Sequence, residues 1–181
     1  MTSIVDKIVA LSTALDAQRL PHAFGGALAL AFCTERARAT IDIDVNVFVG
    51  QYKAAVVLWA LPEALVRTDA DLAALARDGQ IRLWWDQTPV DIFLDKTEFH
   101  VQAAPRRRLH EFAGHQIPFL GCSDLAVFKA FYNRTMDWAD IEAMIAIGSL
   151  DVDHTLGTLV RYLGEDDERV KRLRSLAPVD G

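Results

Sequence analysis

Ile41-Asp42-Ile43-Asp44-Val45-Asn46-Val47-Phe48-Val49 alternates strictly, with a β-branched residue at every odd position. A period of two over nine residues, filled by β-branched side chains, is the signature of a strand, and this is the clearest strand in the chain. Asp42 and Asp44 lie two residues apart, so both carboxylates project from the same face within a few ångströms of each other. Two like charges that close raise each other's pKa unless a cation sits between them. The plain alternative is a pair of acidic residues on the wet face of a strand.

Upstream, His22-Ala23-Phe24 reads as a short extended piece running into Gly25-Gly26, and Ala27 to Phe32 is helix-like. Glycines between a strand and a helix let backbone N–H groups and the helix N-terminus approach a phosphate closely; a tight turn is the other use of such a pair. Downstream, Ile81 to Trp85 and Val90 to Leu94 read as strands joined by the turn Asp86-Gln87-Thr88-Pro89. Asp91 sits between Val90 and Ile92, on a strand that can pair near the first. A carboxylate among apolar neighbours suits a ligand better than a surface ornament. Together these features describe a phosphate cradle beside a carboxylate cluster, the equipment of metal-assisted phosphoryl or nucleotidyl transfer.

Taken in order, Gly25-Gly26-Ala27-Leu28-Ala29-Leu30, then Arg38-Ala39-Thr40-Ile41-Asp42-Ile43-Asp44-Val45, then Val90-Asp91-Ile92-Phe93 resemble the nucleotidyltransferase domain of the DNA polymerase beta superfamily. The likeness is to the small bacterial branch of AbiEii-like toxins, minimal nucleotidyltransferases and antibiotic nucleotidyltransferases. Lys129, followed by Arg134-Thr135-Met136-Asp137-Trp138-Ala139-Asp140-Ile141, resembles the K…R-x-K-D-x-x-D-[IL] pattern of the AbiEii-like branch. Two departures stand out: Ala27 occupies a position where many relatives carry Ser, and Thr135-Met136 replaces the second basic residue before Asp137.

The resemblance implies an α/β (α+β) nucleotidyltransferase fold, a mixed sheet flanked by helices, with a catalytic domain over 1–120 and a helical region over 121–181 packing on it. It implies catalytic and metal-ligating roles for Asp42, Asp44 and Asp91, holding two Mg²⁺ ions, with Asp91 acting as, or positioning, the general base. Gly25, Gly26, Arg38, Thr40, Lys129 and Asp137 become the nucleotide-binding set, Lys129 neutralising charge as pyrophosphate leaves. Arg38 has an ion pair with Asp42 or Glu35 as its alternative, Lys129 a surface position, and Asp137 a helix N-cap. The activity implied is transfer of a nucleoside monophosphate from an NTP to a hydroxyl of tRNA, a partner protein or a small molecule, within a toxin–antitoxin pair in some relatives. The alternative is a catalytically silent nucleotide- or partner-binding module.

The rest of the 181 residues fits this frame. A composition of 51% hydrophobic and 24% charged residues excludes disorder and collagen. Nineteen basic against 25 acidic residues leave a net charge of −6, so extended nucleic acid needs a local basic patch, for which Arg106-Arg107-Arg108 is the candidate. That run is otherwise a solvated surface. No apolar run reaches the roughly 18–20 residues of a membrane span, and the N-terminus lacks a signal-peptide pattern, so a cytoplasmic protein with no membrane partner is expected. Cys33 and Cys122 are too few for a disulfide framework. Trp59 and Trp84-Trp85 read as core and hairpin packing. Ser3 with Asp6 caps a first helix from Ile4, Lys53 to Leu61 and Asp69 to Arg77 read as two more, and beyond Gly121 nearly everything is helical.

Overall fold

In the computed structural model, which describes residues 2–36 and 40–177, the elements run α1 (Ile4–Ala17), β1 (His22–Phe24), α2 (Gly26–Thr34), β2 (Ile43–Gly50), α3 (Ala54–Ala60) and α4 (Asp69–Asp78). They continue as β3 (Gln80–Trp85), β4 (Thr88–Asp95), α5 (Glu98–Ala103), β5 (Arg108–Phe112) and β6 (His115–Phe119). Four helices complete the chain: α6 (Cys122–Tyr132), α7 (Thr135–Ile147), α8 (Val152–Leu163) and α9 (Glu168–Leu176). The six strands form one mixed sheet in the order β3-β4-β2-β1-β6-β5. β2 runs parallel to β4 and β1 to β6, while β1–β2, β3–β4 and β5–β6 are antiparallel. This is the mixed α/β architecture expected from the sequence.

The chain divides into two compact units, Met1–Leu28 with Arg38–Leu120, and Ala29–Ala37 with Gly121–Gly181. The first holds the sheet. Its strands alternate as the pattern requires: Ile43, Val45 and Val47 of β2, Val90, Ile92 and Leu94 of β4, and Leu83 of β3 are buried on one face. α1 supplies Ile8, Leu11 and Leu15, all fully buried, and starts in a capping box in which Ser3 accepts from the Asp6 N–H while the Asp6 carboxylate accepts from Ser3. Lys7 of α1 is buried too; its ammonium donates to the Trp85 carbonyl at 2.8 Å and the Thr88 hydroxyl at 3.0 Å, tying the helix to the β3–β4 hairpin.

The second unit holds α6 to α9 and residues 29–37, a segment that the sequence reading leaves with 1–120. Here Cys33 of α2 and Cys122 of α6 are joined as a disulfide across 89 residues of sequence, a bridge not expected from two cysteines alone. Among the described residues no helix is long and apolar enough to cross a membrane.

Local departures have physical causes. The strand expected from Ile41 starts at Ile43, and Ile41 is 74% exposed, because the Thr40 hydroxyl donates to the Asp42 carbonyl and accepts from its N–H, folding that stretch into a turn. α5 is too short to show a helical period, and only its buried Phe99 and Ala103 betray an inward face. Trp85 is buried as expected, but Trp84 and Trp59 stay half exposed, Trp59 beneath the Arg67 guanidinium at 5.4 Å.

Asp95, the last residue of β4, carries a first prediction. Its Oδ1 is buried with no hydrogen-bond partner, and burial pushes its carboxyl up to about 6. A folded-state pKa above the unfolded one means that the fold favours the protonated acid, so stability drops as pH rises from the ordinary carboxylate value through about 6. Asp95→Asn should flatten that limb and gain about 1 kcal/mol at neutral pH, once the partly solvated position is allowed for. Thermal melts at mildly acidic and neutral pH check it.

Candidate active site

The parallel register of β2 and β4 sets Asp44 opposite Asp91. The antiparallel register of β3 and β4 sets Arg82 opposite Asp91 on the other side. Residues in register on neighbouring strands point to the same face, so Asp44, Asp91 and Arg82 form a row across the sheet on the side away from the buried Ile43, Val90 and Leu83. Asp42 joins the row from the turn that leads into β2.

The row is electrostatically organised around Arg82. Its Nε donates to Asp91 Oδ1 at 2.8 Å and its Nη2 to Asp91 Oδ2 at 2.6 Å, the fork geometry that suits guanidinium and carboxylate. The same Nη2 lies 3.6 Å from Asp42 Oδ2. The hydrogen bonds to Asp91, then the charges of Asp91, Asp42 and Asp44, hold the Arg82 guanidinium more firmly protonated than usual. Asp91 is mostly buried, whereas 52% of the Arg82 side chain is exposed, so the cation reaches in from solvent over an anion fixed in the sheet.

The two glycines meet this row from β1. The Gly25 N–H donates to the Asp44 carbonyl at 2.9 Å, extending the β1–β2 ladder by one rung. Gly26 then opens α2 at φ +52°, and a Cβ there would fall on the Asp44 carboxylate. Glycine takes this turn without strain, and it alone lets the backbone come this close to the carboxylate. The acid thereby sits against the first turn of α2, where unsatisfied N–H groups favour negative charge. Arg38 lies outside the described residues. Thr40 uses its hydroxyl on the Asp42 backbone, as a positioner of that acid.

Lys129 and Asp137 belong to the second unit. Lys129 on α6 is 8% exposed and donates to Asp140 at 2.7 Å, with Asp137 at 3.5 Å, both acids on α7. Arg134 donates to Asp137 through its backbone N–H and both arms of its guanidinium, closing the N-terminus of α7. Burial alone would push the Asp137 carboxyl up, but those hydrogen bonds, with the charges of Lys129 and Arg134, outweigh it and hold it below the usual carboxylate range. The Lys…Arg…Asp…Asp pattern is thus an ion cluster joining α6 to α7, in which Lys129 and Asp137 are each other's partners.

The carboxylates are hard oxygen donors of the kind that Mg²⁺ takes. Their arrangement does not yet fit one: among the described residues no group of three or more His, Cys, Asp or Glu side chains could hold a metal ion, and the positive charge in their midst is Arg82.

Two solved structures share the architecture. The crystal structure of ANT(2'')-Ia in complex with adenylyl-2''-tobramycin superposes with a TM-score of 0.60 at 15% identity, covering 96% of each chain. The chain has a nucleotidyltransferase fold. The solution structure of the antibiotic-resistance factor ANT(2'')-Ia agrees, with a TM-score of 0.57 at 14% identity over 94% of this chain and 89% of that one. No protein-family model matches the sequence, and neither does any curated protein.

The residue that the sequence reading misses in this nucleotidyltransferase-fold site is Arg82. A signal for it exists: if the β3–β4 turn is taken as the two residues Asp86-Gln87, Trp85 pairs with Thr88, and three steps out Arg82 faces Asp91.

Proposed function

We propose that this protein is a nucleotidyltransferase that moves a nucleoside monophosphate from an NTP to a hydroxyl of a small molecule. The observation that carries the reading is the register of Asp44 against Asp91, with Asp42 beside them and the Gly25-Gly26 backbone against the Asp44 carboxylate. The first turn of α2 and the two glycines receive the triphosphate. The acceptor oxygen bonds to the α-phosphorus, the bond to the β-phosphate bridge breaks, and pyrophosphate leaves. Asp91 accepts the hydroxyl proton, directly or by orienting the base that does. Asp42, Asp44 and Asp91 are the proposed ligands of two Mg²⁺ ions, which supply neutralisation of the phosphate charge when bound.

A small acceptor is preferred over tRNA because the chain carries a net charge of −6. The adenylylated small molecule held by ANT(2'')-Ia, whose fold this chain shares end to end, supports the same choice. A partner-protein acceptor, as in a toxin–antitoxin pair with a cognate partner, remains the variant of the same chemistry that the AbiEii-like motif suggests. The cytoplasm, where NTPs are abundant, is the compartment this reading requires. A second reading, a silent nucleotide-binding module, is favoured by one observation: Arg82 already neutralises Asp91.

Calorimetric and thermal-shift titrations with ATP, GTP, CTP and UTP, with and without Mg²⁺, test the proposal on the wild type and on Asp42→Asn/Asp44→Asn. The expected result is metal-dependent binding of at least one NTP, lost in the double variant while its circular dichroism is unchanged. Absence of binding by every nucleotide overturns it, and binding that survives the double variant removes the two acids from the site.

A further inference from the structure

The chain has four tryptophans, and three of them have a cation over the ring. Arg67 stands 5.4 Å from the Trp59 centroid, Lys7 5.8 Å from that of Trp85, and Arg172 4.6 Å from that of Trp138. Among the described residues neither a cation nor another ring covers the indole of Trp84, which is half exposed although Trp85 beside it is buried. We propose that Trp84 is a stacking platform for the acceptor, and that the acceptor is a saccharide ring lying with its C–H face on the indole. The inference rests on the transfer reading above, in which Asp91 serves the acceptor hydroxyl.

Placement carries it first. Successive residues of β3 alternate in face, so Arg82 and Trp84 share the side opposite the buried Leu83 and Trp85, which is the side of Asp91. Trp84 pairs with Pro89, which makes Asp91, two residues on, its diagonal neighbour at about 7–8 Å. A six-membered ring with a hydroxyl on its edge bridges such a gap. β3 is an edge strand, and the Val66 N–H donates to the Trp84 carbonyl at 3.4 Å. The neighbouring loop thus covers the edge at the backbone and leaves the ring open.

The strand order supplies the direction. From the β1 flank, where the two glycines and the first turn of α2 receive the triphosphate, the sheet runs through β2 and β4 to β3, about 14 Å away at the usual strand spacing. An attacking oxygen enters the α-phosphorus in line with the departing pyrophosphate and opposite to it. With the phosphate chain at the β1 flank, the body of the acceptor therefore extends over β4 and β3 and meets Trp84. The groups beside the platform set its class. A bare indole buries the apolar face of a ring. Asp42, with 38% of its side chain exposed, and the paired Arg82 and Asp91 offer hydrogen-bond partners to several hydroxyls. A saccharide has both an apolar face and a hydroxylated rim, whereas a phenol lacks the rim and an open-chain polyol lacks the face. Because Arg82 balances Asp91 beside the platform, recognition there needs no charge on the ring.

The test is saturation-transfer NMR on the full chain with methyl β-D-glucopyranoside, sorbitol and phenol as probes, beside the NTP titrations described above. The glucoside should bind through its C–H face and more tightly than either other probe. Trp84→Leu should weaken that binding about tenfold while NTP affinity stays within about twofold of wild type. Trp84→Phe keeps a flat ring and should recover most of the loss, and Trp84→Thr, suited to an edge strand, replaces the leucine variant if that one does not fold. Glucoside binding that is absent from the wild type, equal in Trp84→Leu, or matched by sorbitol or phenol overturns the proposal and leaves the NTP result standing. A parallel loss of glucoside and NTP affinity in Trp84→Leu overturns it too, since a structural residue would behave that way. If no NTP binds but glucoside binding depends on Trp84, the transfer reading falls and the saccharide platform stands without it.

Discussion

Lys129→Met should cost the protein about 3–5 kcal/mol of stability, because it takes a buried cation from between two buried carboxylates. The ammonium of Lys129 lies 2.7 Å from Asp140 and 3.5 Å from Asp137, and all three residues are under 10% exposed. Asp137 keeps its bonds from Arg134. In a chain of this length, that corresponds to a fall in melting temperature of about 10 °C.

The effect has a pH signature whose sign is fixed. Asp137's carboxyl is held below the usual carboxylate range, so its contribution to wild-type stability is full above the unfolded value and is lost as pH falls through the lowered folded one. Urea titrations across the acid range measure both. Replacing Asp140 by Leu in the same chain should restore much of the loss, since apolar replacement of a whole buried pair is often neutral. A stability loss below about 1 kcal/mol with weakened NTP binding would return Lys129 to the nucleotide site.

Gly26→Ala should cut transfer about 100-fold, the scale at which an ångström of misplacement is felt in a positioned reaction. At φ +52° an alanine is strained by about 1–2 kcal/mol. Its methyl would fall on the Asp44 carboxylate, which must leave its place against α2. Gly25→Ala is the comparison, since its methyl would stay clear of the Asp44 carboxylate. Its Cβ would come within 3.0 Å of Asn46 Nδ2 and 3.2 Å of Leu120 Cδ1, side-chain ends rather than backbone, and its backbone needs no left-handed turn. A rate loss for Gly25→Ala equal to that for Gly26→Ala would show that general crowding, and not the Asp44 carboxylate, is what the glycines relieve.

Where the chain's own period or a cap carried the information, the sequence was readable. Alternation located β2, and the capping pair Ser3 and Asp6 located α1. The order Gly-Gly, Asp-x-Asp, Asp also pointed to Gly25, Gly26, Asp44 and Asp91 together, because Asp44 and Asp91 lie on eight-residue strands and the glycines at the start of a helix. What stayed hidden was pairing between elements. Arg82 needed the hairpin register, which a four-residue reading of the turn obscured. Lys129 needed its partners on the next helix, since a lysine looks the same in sequence whether it faces a phosphate or an aspartate. The bridge between Cys33 and Cys122 needed a distance that a sequence separation of 89 does not disclose.

That bridge alters what a cut in the chain would do. A protease that nicks the backbone once anywhere between Thr34 and Gly121 produces an N-terminal and a C-terminal piece, each carrying one of the bonded cysteines. The pieces stay tethered, and the nicked protein migrates as full length on a gel run without reductant, separating only when thiol is added. For the stretch that carries Asp42, Asp44, Arg82 and Asp91, an intact band therefore certifies the disulfide and not the peptide bonds.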